Sequence, residues 1–150
     1  MTESRDNLIH KWLMIASRQV SQSLDQQLAE IGLSASQYFY ILKIHDNPGL
    51  TQKKLGETEF IDPSNVTRAV KQLITQGFVK RHPHPQDKRA YQLVLTDKGT
   101  TVYPQILQIL DAEEAKLITG IKAQDSNFDQ KSFVNALRTM SHIHDNSDEN

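Results

Sequence analysis

The sequence predicts a mainly α-helical protein with one small β-hairpin near its middle. Two observations support this fold class. Apolar residues recur three or four positions apart over most of the chain, which is the period of amphipathic helices. One stretch, 78–95, instead holds two short runs of aromatic and β-branched residues around a loop that contains Pro83 and Pro85. A length of 150 residues suits one domain, so we predict a single domain over 1–150.

Long helices are predicted at both ends of the chain. The first covers about residues 8–32; its apolar repeat contains no proline, and Gly32 serves as the C-cap. Two further helices lie within about 99–144, and residues 145–150 form a polar tail. We expect these helices to flank a separate central lobe.

That central lobe, about 34–98, is predicted to begin with two shorter helices. Ser34 is expected to cap one of them. Thr51 is expected to cap the next, which spans 52–59 and turns Leu55 inward.

The fourth predicted helix starts at Asp62, because a carboxylate can accept orphan amide hydrogens and Pro63 at the first helical position gives up none that the helix uses. Its apolar repeat fixes the buried face: Val66, Ala69, Val70, Leu73 and Ile74. The outer face then consists of Ser64, Asn65, Thr67, Arg68 and Lys71. A helix with such a small, polar and basic face fits a DNA major groove, and a proline-stiffened basic hairpin loop fits the adjacent minor groove.

The charge distribution agrees with this interpretation. The whole chain has a formal net charge of −1, but residues 51–98 hold nine Lys/Arg and five Asp/Glu, a balance of +4. Residues 99–150 hold four Lys/Arg and eight Asp/Glu, a balance of −4. Only the middle third is therefore suited to meeting phosphate.

Several classes of protein are excluded or disfavoured by composition. The chain has no cysteine, which excludes disulfides, thiolate zinc sites and cysteine-based redox sensing. No phosphate-binding glycine loop or catalytic Ser/His/Asp spacing is present, so we predict no enzyme activity and no cofactor. The N-terminus lacks the features of a signal peptide and no apolar run could cross a membrane, so a cytoplasmic location without membrane contact is expected.

The order of these elements and the sequences of several motifs resemble those of the MarR family of bacterial transcriptional regulators. The motifs are Leu50 to Leu55, Asp62 to Arg68, Leu73 to Val79, Asp87-Lys88-Arg89 and Leu95-Thr96-Asp97-Lys98-Gly99. The resemblance implies a winged helix-turn-helix, flanked by dimerisation helices at about 8–32 and 99–144. It also implies a homodimer that binds a near-palindromic operator in double-stranded DNA, more often as a repressor.

The resemblance assigns DNA contacts residue by residue. Ser64, Asn65, Thr67 and Arg68 fall where the family reads the major groove, and Lys71 one turn further on would reach phosphate. Backbone contacts are expected from Thr51, Gln52 and Lys53. In the wing, Arg89 would enter the minor groove, oriented by a salt bridge with Asp87, and the remaining wing contacts would come from Arg81, His84 and Lys88.

This sequence departs from the family pattern at two places. His84 stands where many members carry an acidic residue, so the usual hydrogen bonding of the wing is expected to differ. A histidine beside phosphate could give the wing a mild pH sensitivity. Glu59-Phe60 occupies a turn where many relatives have an apolar residue and glycine, so that turn is expected to differ in detail. Phe60 or Ile61 could pack on the following helix as a hydrophobic staple.

A small-molecule effector is also implied by the resemblance, because members often bind aromatic or phenolic anions between the dimerisation helices and the DNA-binding lobe. Candidate lining residues in this chain are Trp12, Arg18, Tyr38, Phe39, His45 and Tyr103. The competing interpretation is that these aromatic side chains belong to the core.

Two alternative functions remain open. A metal-sensing regulator would use imidazoles, for which the candidates are His10, His45, His82, His84, His142 and His144. Their spacing is poor, and no metal site is predicted. A winged-helix module that binds protein rather than DNA would not need the basic middle third.

Overall fold

The computed structural model describes residues 5–145, apart from the side chain of Thr58. This part of the chain contains five α-helices and one hairpin: α1 (Ile9–Ala29), α2 (Tyr38–Asp46), α3 (Pro63–Thr75), β1 (Val79–Pro83), β2 (Tyr91–Leu95), α4 (Asp97–Gln124) and α5 (Gln130–Ile143). Short 3-10 turns lie at Arg5–Asn7 and Glu57–Glu59. The predicted fold class is confirmed. Of the predicted polar tail, only Asp145 lies within the described residues.

Chain contacts divide the protein into two compact units, with the boundary between Asp111 and Ala112. The first unit contains α1 to α3, the hairpin and the first half of α4. The second unit contains the rest of α4 and α5, where Asp129 caps α5 by accepting the Ser132 amide at 2.9 Å. The prediction of one domain over 1–150 stays a prediction.

The hydrophobic core of the first unit draws on every one of its major elements. Its fully buried side chains are Leu28 from α1, Ile41 from α2, Leu55, Val70 and Leu73 around and in α3, Phe78, Val79 and Leu93 from the hairpin, and Ile106 from α4. Burial of one such side chain contributes roughly 1.5–3 kcal/mol. This shared core fixes the positions of α3 and the hairpin, which carry most of the predicted contact residues.

The hairpin is antiparallel and has a third, short neighbour. Its register pairs Val79 with Leu95 and Pro83 with Tyr91. An isolated bridge joins Thr51 to Gln92, and the Leu93 amide donates to the Leu50 carbonyl at 2.9 Å. The segment before the helix-turn-helix is thereby attached to the outer side of the wing.

The predicted boundaries of the fourth helix agree with α3. Asp62 is its N-cap and Pro63 its first residue, as expected. Gly77 ends it at φ 82°, with the Phe78 amide donating to the Leu73 carbonyl at 2.9 Å. The glycine allows a left-handed turn that other residues adopt only at a cost.

Two local predictions were wrong. Ser34 does not cap α2: the helix starts at Tyr38, and the amide of Ser34 donates to the side chain of Gln37 at 3.1 Å. Residues 52–59 do not form an α-helix but a series of turns followed by the 3-10 turn. Leu55 is nevertheless fully buried, as predicted.

The turn at Phe60 shows how a missing glycine is accommodated. Phe60 adopts the left-handed conformation at φ 56° and ψ 34°, which glycine takes without steric cost. Its side chain is 49% exposed, whereas Ile61 packs against the core. Of the two staple candidates, Ile61 is therefore the one that lies inward.

Candidate nucleic-acid interface

The start of α3 is fixed by a local cap. The Asp62 carboxylate accepts the Ser64 amide at 2.8 Å and also the Ser64 hydroxyl. The hydroxyl bond, followed by the amide bond, holds the pKa of Asp62 below its ordinary value. The Ser64 hydroxyl is thus already used in the cap, and a contact from it to DNA would have to share that bond.

The outer face of α3 presents a small polar and basic surface. Asn65, Thr67, Arg68 and Lys71 are all exposed. Arg68 donates from Nη1 to the Asn65 side-chain oxygen at 3.4 Å. A guanidinium has five N–H donors, so this bond orients the pair while leaving Arg68 able to donate outward.

Thr67 connects α3 to the preceding segment. Its hydroxyl donates to the Pro63 carbonyl at 3.0 Å and accepts from the Gln52 side-chain amide at 3.3 Å. Lys53 beside Gln52 is exposed, and Thr51 is held by its bridge to β2. Although 52–59 is not an α-helix, Thr51 is paired with β2 and Gln52 donates to Thr67 of α3.

The wing loop is closed by hydrogen bonds within the hairpin. The His84 amide donates to the Ala90 carbonyl at 3.2 Å, and the Ala90 amide donates to the Asp87 carbonyl at 3.1 Å. The Asp87 carboxylate accepts the backbone amide of Arg89 at 2.9 Å. The basic side chains of the wing, Arg81, Lys88 and Arg89, are exposed.

The predicted salt bridge between Asp87 and Arg89 does not occur among the described residues. Asp87 holds Arg89 through the main chain instead, because a short carboxylate two residues upstream reaches a backbone amide more readily than the end of a long side chain. The backbone of Arg89 is therefore held in place, while its guanidinium makes no bond to Asp87.

Hydrogen bonding at His84 was expected to differ from the family pattern, and the structure shows what this residue does instead. The imidazole Nδ1 accepts the backbone amide of Gln86 at 3.1 Å and that of Asp87 at 3.2 Å. A ring nitrogen therefore supplies the acceptor that a carboxylate would have supplied at this position. His84 is half-buried by the loop that it closes.

The six candidate effector residues are not gathered in one cavity. Trp12 is 53% exposed on α1 and donates from its indole to the Asp6 carbonyl, and Arg18 is exposed further along the same helix. His45 and Tyr103 contact each other. These four residues do not line the groove in which the other two lie.

Tyr38 and Phe39 line a groove of about 500 Å³ beside α3. Burial raises the pKa of Tyr38. Asn65 and Arg68 form the opposite side of the same groove. A ligand bound there would lie against the two side chains most suited to reading bases.

Sequence reasoning missed a set of glutamines behind α3. Gln37 is buried, and its side-chain amide donates to the side-chain oxygens of Gln72 at 3.4 Å and Gln76 at 3.2 Å. Gln76 also donates to the Gly32 carbonyl at 3.4 Å. These bonds join the turn after α1 to α3. A buried glutamine leaves no periodic signal, so only its three-dimensional contacts reveal it.

Lys98 is a second missed residue. Its ammonium donates to the Gln76 carbonyl at the C-terminal end of α3 at 2.7 Å and lies 4.3 Å from the centre of the Phe78 ring. A cation at this end of a helix is stabilised by the helix dipole. A lysine far along the chain can be assigned to a helix end only when the fold is known.

Two negative findings apply to residues 5–145. No group of three or more His, Asp or Glu side chains in this range is arranged to hold a metal ion. No helix in the same range is both long and apolar enough to cross a bilayer.

An exposed, capped helix beside a basic hairpin, with short turns before it, defines a winged helix-turn-helix protein. The sequence model of the MarR family matches residues 33–91. A relative from Bacillus subtilis (strain 168), the uncharacterized HTH-type transcriptional regulator YybA, is 30% identical over 122 residues, which cover 79% of this chain and 78% of YybA. The regulator BilQ of Clostridioides difficile (strain CD3) is 32% identical over 107 residues, 71% of this chain and 69% of BilQ.

Solved structures show the same fold. The transcriptional repressor CouR bound to a 23-mer DNA duplex matches with a TM-score of 0.80 at 22% identity, covering 94% of this chain and 97% of CouR. The MepR–DNA complex of S. aureus matches with a TM-score of 0.75 at 17% identity, covering 91% and 96%. The chain belongs to the MarR family, whose members are transcriptional regulators and not enzymes.

Proposed function

We propose that this protein is a homodimeric, sequence-specific repressor that binds a near-palindromic DNA operator. A small ligand releases the repressor from that operator. The observation that supports this best is the pairing of Asn65 with Arg68 on the exposed face of a capped helix. Carboxamide and guanidinium groups make the bidentate contacts that distinguish adenine and guanine in the major groove. Base reading is therefore assigned to these two residues.

The surrounding residues suit contacts to the DNA backbone. Ser64 and Thr67 lie next to Asn65 and Arg68 in the chain, and their hydroxyls are held by bonds within the site. Phosphate contacts are assigned to Thr51, Gln52, Lys53, Lys71, Arg81 and Lys88, and His84 is assigned to closing the loop that presents Lys88 and Arg89. Arg89, with its amide fixed by Asp87, is assigned to the minor groove. The CouR and MepR complexes with DNA support this arrangement because they share the fold.

Apolar residues on the terminal helices support dimerisation. On α1, Ile9, Trp12 and Leu13 are exposed, and on α5, Phe133 and Ile143 are exposed. Large apolar side chains facing water are costly and commonly mark a protein interface. A lobe of about 34–98 for DNA and helices at about 8–32 and 99–144 for pairing are parts of this proposal.

Footprinting on the region upstream of the chain's own gene tests the proposal. Two protected half-sites related by dyad symmetry, with centres about one helical turn apart, are the expected result. A single protected half-site would contradict the dimer. An electrophoretic mobility shift assay with the same DNA at 50 mM salt tests DNA binding itself, because phosphate contacts are strongest at low salt. If no shift occurs, the alternative of a protein-binding module is favoured.

The effector is assigned to the groove between Tyr38, Phe39 and Arg68, where an aromatic carboxylate could stack on the rings and pair with the guanidinium. Benzoate and cyclohexanecarboxylate form a matched pair of probes. The protein–operator complex is expected to dissociate at lower concentrations of benzoate than of cyclohexanecarboxylate. Equal effects of the two anions would contradict an aromatic site.

A further inference from the structure

His84 closes the tip of the wing through one ring atom. Its Nδ1 accepts two consecutive backbone amides, those of Gln86 and Asp87, at 3.1 and 3.2 Å. The same residue donates its own amide to the Ala90 carbonyl across the loop. His84 therefore ties together both sides of the turn that leads to Arg89.

This arrangement requires a particular protonation state. A neutral imidazole has one N–H and one acceptor nitrogen, whereas the imidazolium has two N–H groups and no acceptor. Nδ1 can accept the two amides only when the ring is neutral and carries its hydrogen on Nε2. Protonation at Nδ1 would place an N–H against two other N–H groups, so the loop would have to open or the ring turn away.

Other charged groups of the wing do not supply a replacement acceptor. Asp87 is the acidic residue of the hairpin, and its carboxylate already accepts the Arg89 amide. The remaining titratable groups of the hairpin are Lys80, Arg81, His82, Lys88, Arg89 and Tyr91. Three helices contact the strands. Their titratable groups near the hairpin are Tyr38, Tyr40, Lys43, His45 and Asp46 of α2, Arg68 and Lys71 of α3, and Asp97 and Lys98 of α4, whose Gly99 lies against Leu95. The neighbouring pair Leu50 and Thr51 is uncharged.

We propose that His84 is a positioning residue that keeps the wing in its DNA-binding shape while the ring is neutral, so that acidification weakens operator binding. The inference rests on the proposed function. The imidazole is the side-chain group that proteins use to respond to pH between 5 and 8, and the test below covers that range. Loop opening releases the backbone of Arg89, and ordering it again on DNA lowers affinity.

The direction of the pH effect separates this role from a simple charge effect. If His84 only contributed a cation near phosphate, protonation would strengthen binding to every sequence. If it positions the loop, protonation weakens binding because two hydrogen bonds are lost. Part of the free energy of these two bonds is lost from the DNA-bound form, so operator affinity is expected to fall roughly tenfold.

Operator dissociation constants at pH 8.0 and 5.5, measured at equal ionic strength, test the proposal. Between pH 8.0 and 5.5, the operator affinity of wild type is expected to fall about tenfold more than that of His84→Asn. The asparagine side-chain oxygen can accept the same amides but does not titrate. His84→Ala should bind weakly at both pH values. His82→Asn is the matched control in the same wing and should retain the pH dependence of wild type.

Order parameters of the Gln86 and Asp87 amides in the free protein provide a second readout. They should fall between pH 8.0 and 5.5 in wild type and stay constant in His84→Asn. Tighter binding at pH 5.5, or an unchanged pH dependence in His84→Asn, would overturn the proposal. If wild type binds no DNA at any pH, the proposed function fails, while constant order parameters in wild type would refute the role of His84 in the loop.

Discussion

The imidazole of His45 stacks on the phenol ring of Tyr103, with ring centroids 3.6 Å apart and 16° between the planes. Asp46 joins both residues: its carboxylate lies 2.9 Å from His45 Nδ1 and accepts the Tyr103 hydroxyl at 2.9 Å. These bonds, that of His45 first, lower the pKa of Asp46. The end of α2 is therefore connected to α4 by a polar and aromatic contact, and two of the predicted effector residues contact each other.

Replacement of Tyr103 by Phe should destabilise the protein in a pH-dependent way. Because the pKa of Asp46 is lower in the folded state, its bonds stabilise the protein above the ordinary value of 3.8 and are lost as pH falls through the folded value. The pKa of Tyr103 is raised by Asp46, so its contribution is present below 10.0 and is lost as pH rises through the folded value. The difference in unfolding free energy from wild type should be largest near pH 7.

Urea unfolding at pH 7, 5 and 3 measures this difference. The control is Tyr91→Phe on β2, where the tyrosine is half-exposed. Its difference from wild type should not change over this range. A constant difference for Tyr103→Phe would show that the bond to Asp46 does not contribute to stability.

Gly99→Ala should strongly destabilise the first unit. A β-carbon at this position in α4 would overlap the backbone carbonyl oxygen of Phe78 and would lie 3.2 Å from the Leu95 side chain. Backbone cannot move aside as a flexible side chain can, so a loss of about 3 kcal/mol is expected.

Gly120→Ala is the matched control in the same helix. A β-carbon there would meet nothing within 4 Å, so better helix propensity should stabilise the protein by roughly 0.5–1 kcal/mol. Thermal or urea unfolding of both variants measures the two effects. If both substitutions changed the unfolding free energy in the same direction, the packing of α4 on Phe78 would be contradicted.

The parts of the fold that could be predicted were those with local signals. α3 has a capping pair at Asp62 and Pro63, an apolar repeat and a terminal glycine, and its observed limits agree with them. Residues 52–59 also have a helix-compatible sequence, but Thr51 is paired with β2, and a β-carbon on Gly56 would lie 2.7 Å from Val66. Such long-range contacts override local propensity and leave no periodic pattern in the sequence.

The same distinction applies to the candidate site. The exposure of Asn65 and Arg68 follows directly from helical periodicity. The role of His84 as an acceptor depends on the orientation of its ring, and the contact of Asp87 with the Arg89 amide depends on the shape of the turn. These details are set by three-dimensional geometry, which residue types and spacing do not specify.

The backbone at Phe60 should be stabilised by glycine relative to alanine. Phe60 has φ 56°, a conformation that costs a residue with a β-carbon about 1–2 kcal/mol. Phe60→Ala and Phe60→Gly both remove the ring, so their difference isolates the backbone cost. Urea unfolding should find the glycine variant more stable by about 1 kcal/mol. Equal stability would indicate that the turn relaxes to another conformation when the ring is removed.

Arg68→Ala and Lys71→Ala should have different effects on DNA binding. Arg68 donates to Asn65 and is assigned to base reading, so its loss should cost about 1–3 kcal/mol at one base pair and relax the preference there. Lys71 lies on the same helix one turn further on and is assigned to phosphate. Its loss should weaken binding to all sequences and reduce the slope of log affinity against log salt by about 1.

Binding titrations with the operator and with a set of single-base variants, each at several salt concentrations, distinguish the two. Both side chains are exposed, so the variants should fold as wild type does. If Arg68→Ala weakened binding to all DNA sequences equally, the guanidinium would be a phosphate contact. Asn65 alone would then carry base reading on α3, and the paired arrangement with Arg68 would serve to orient the amide toward adenine.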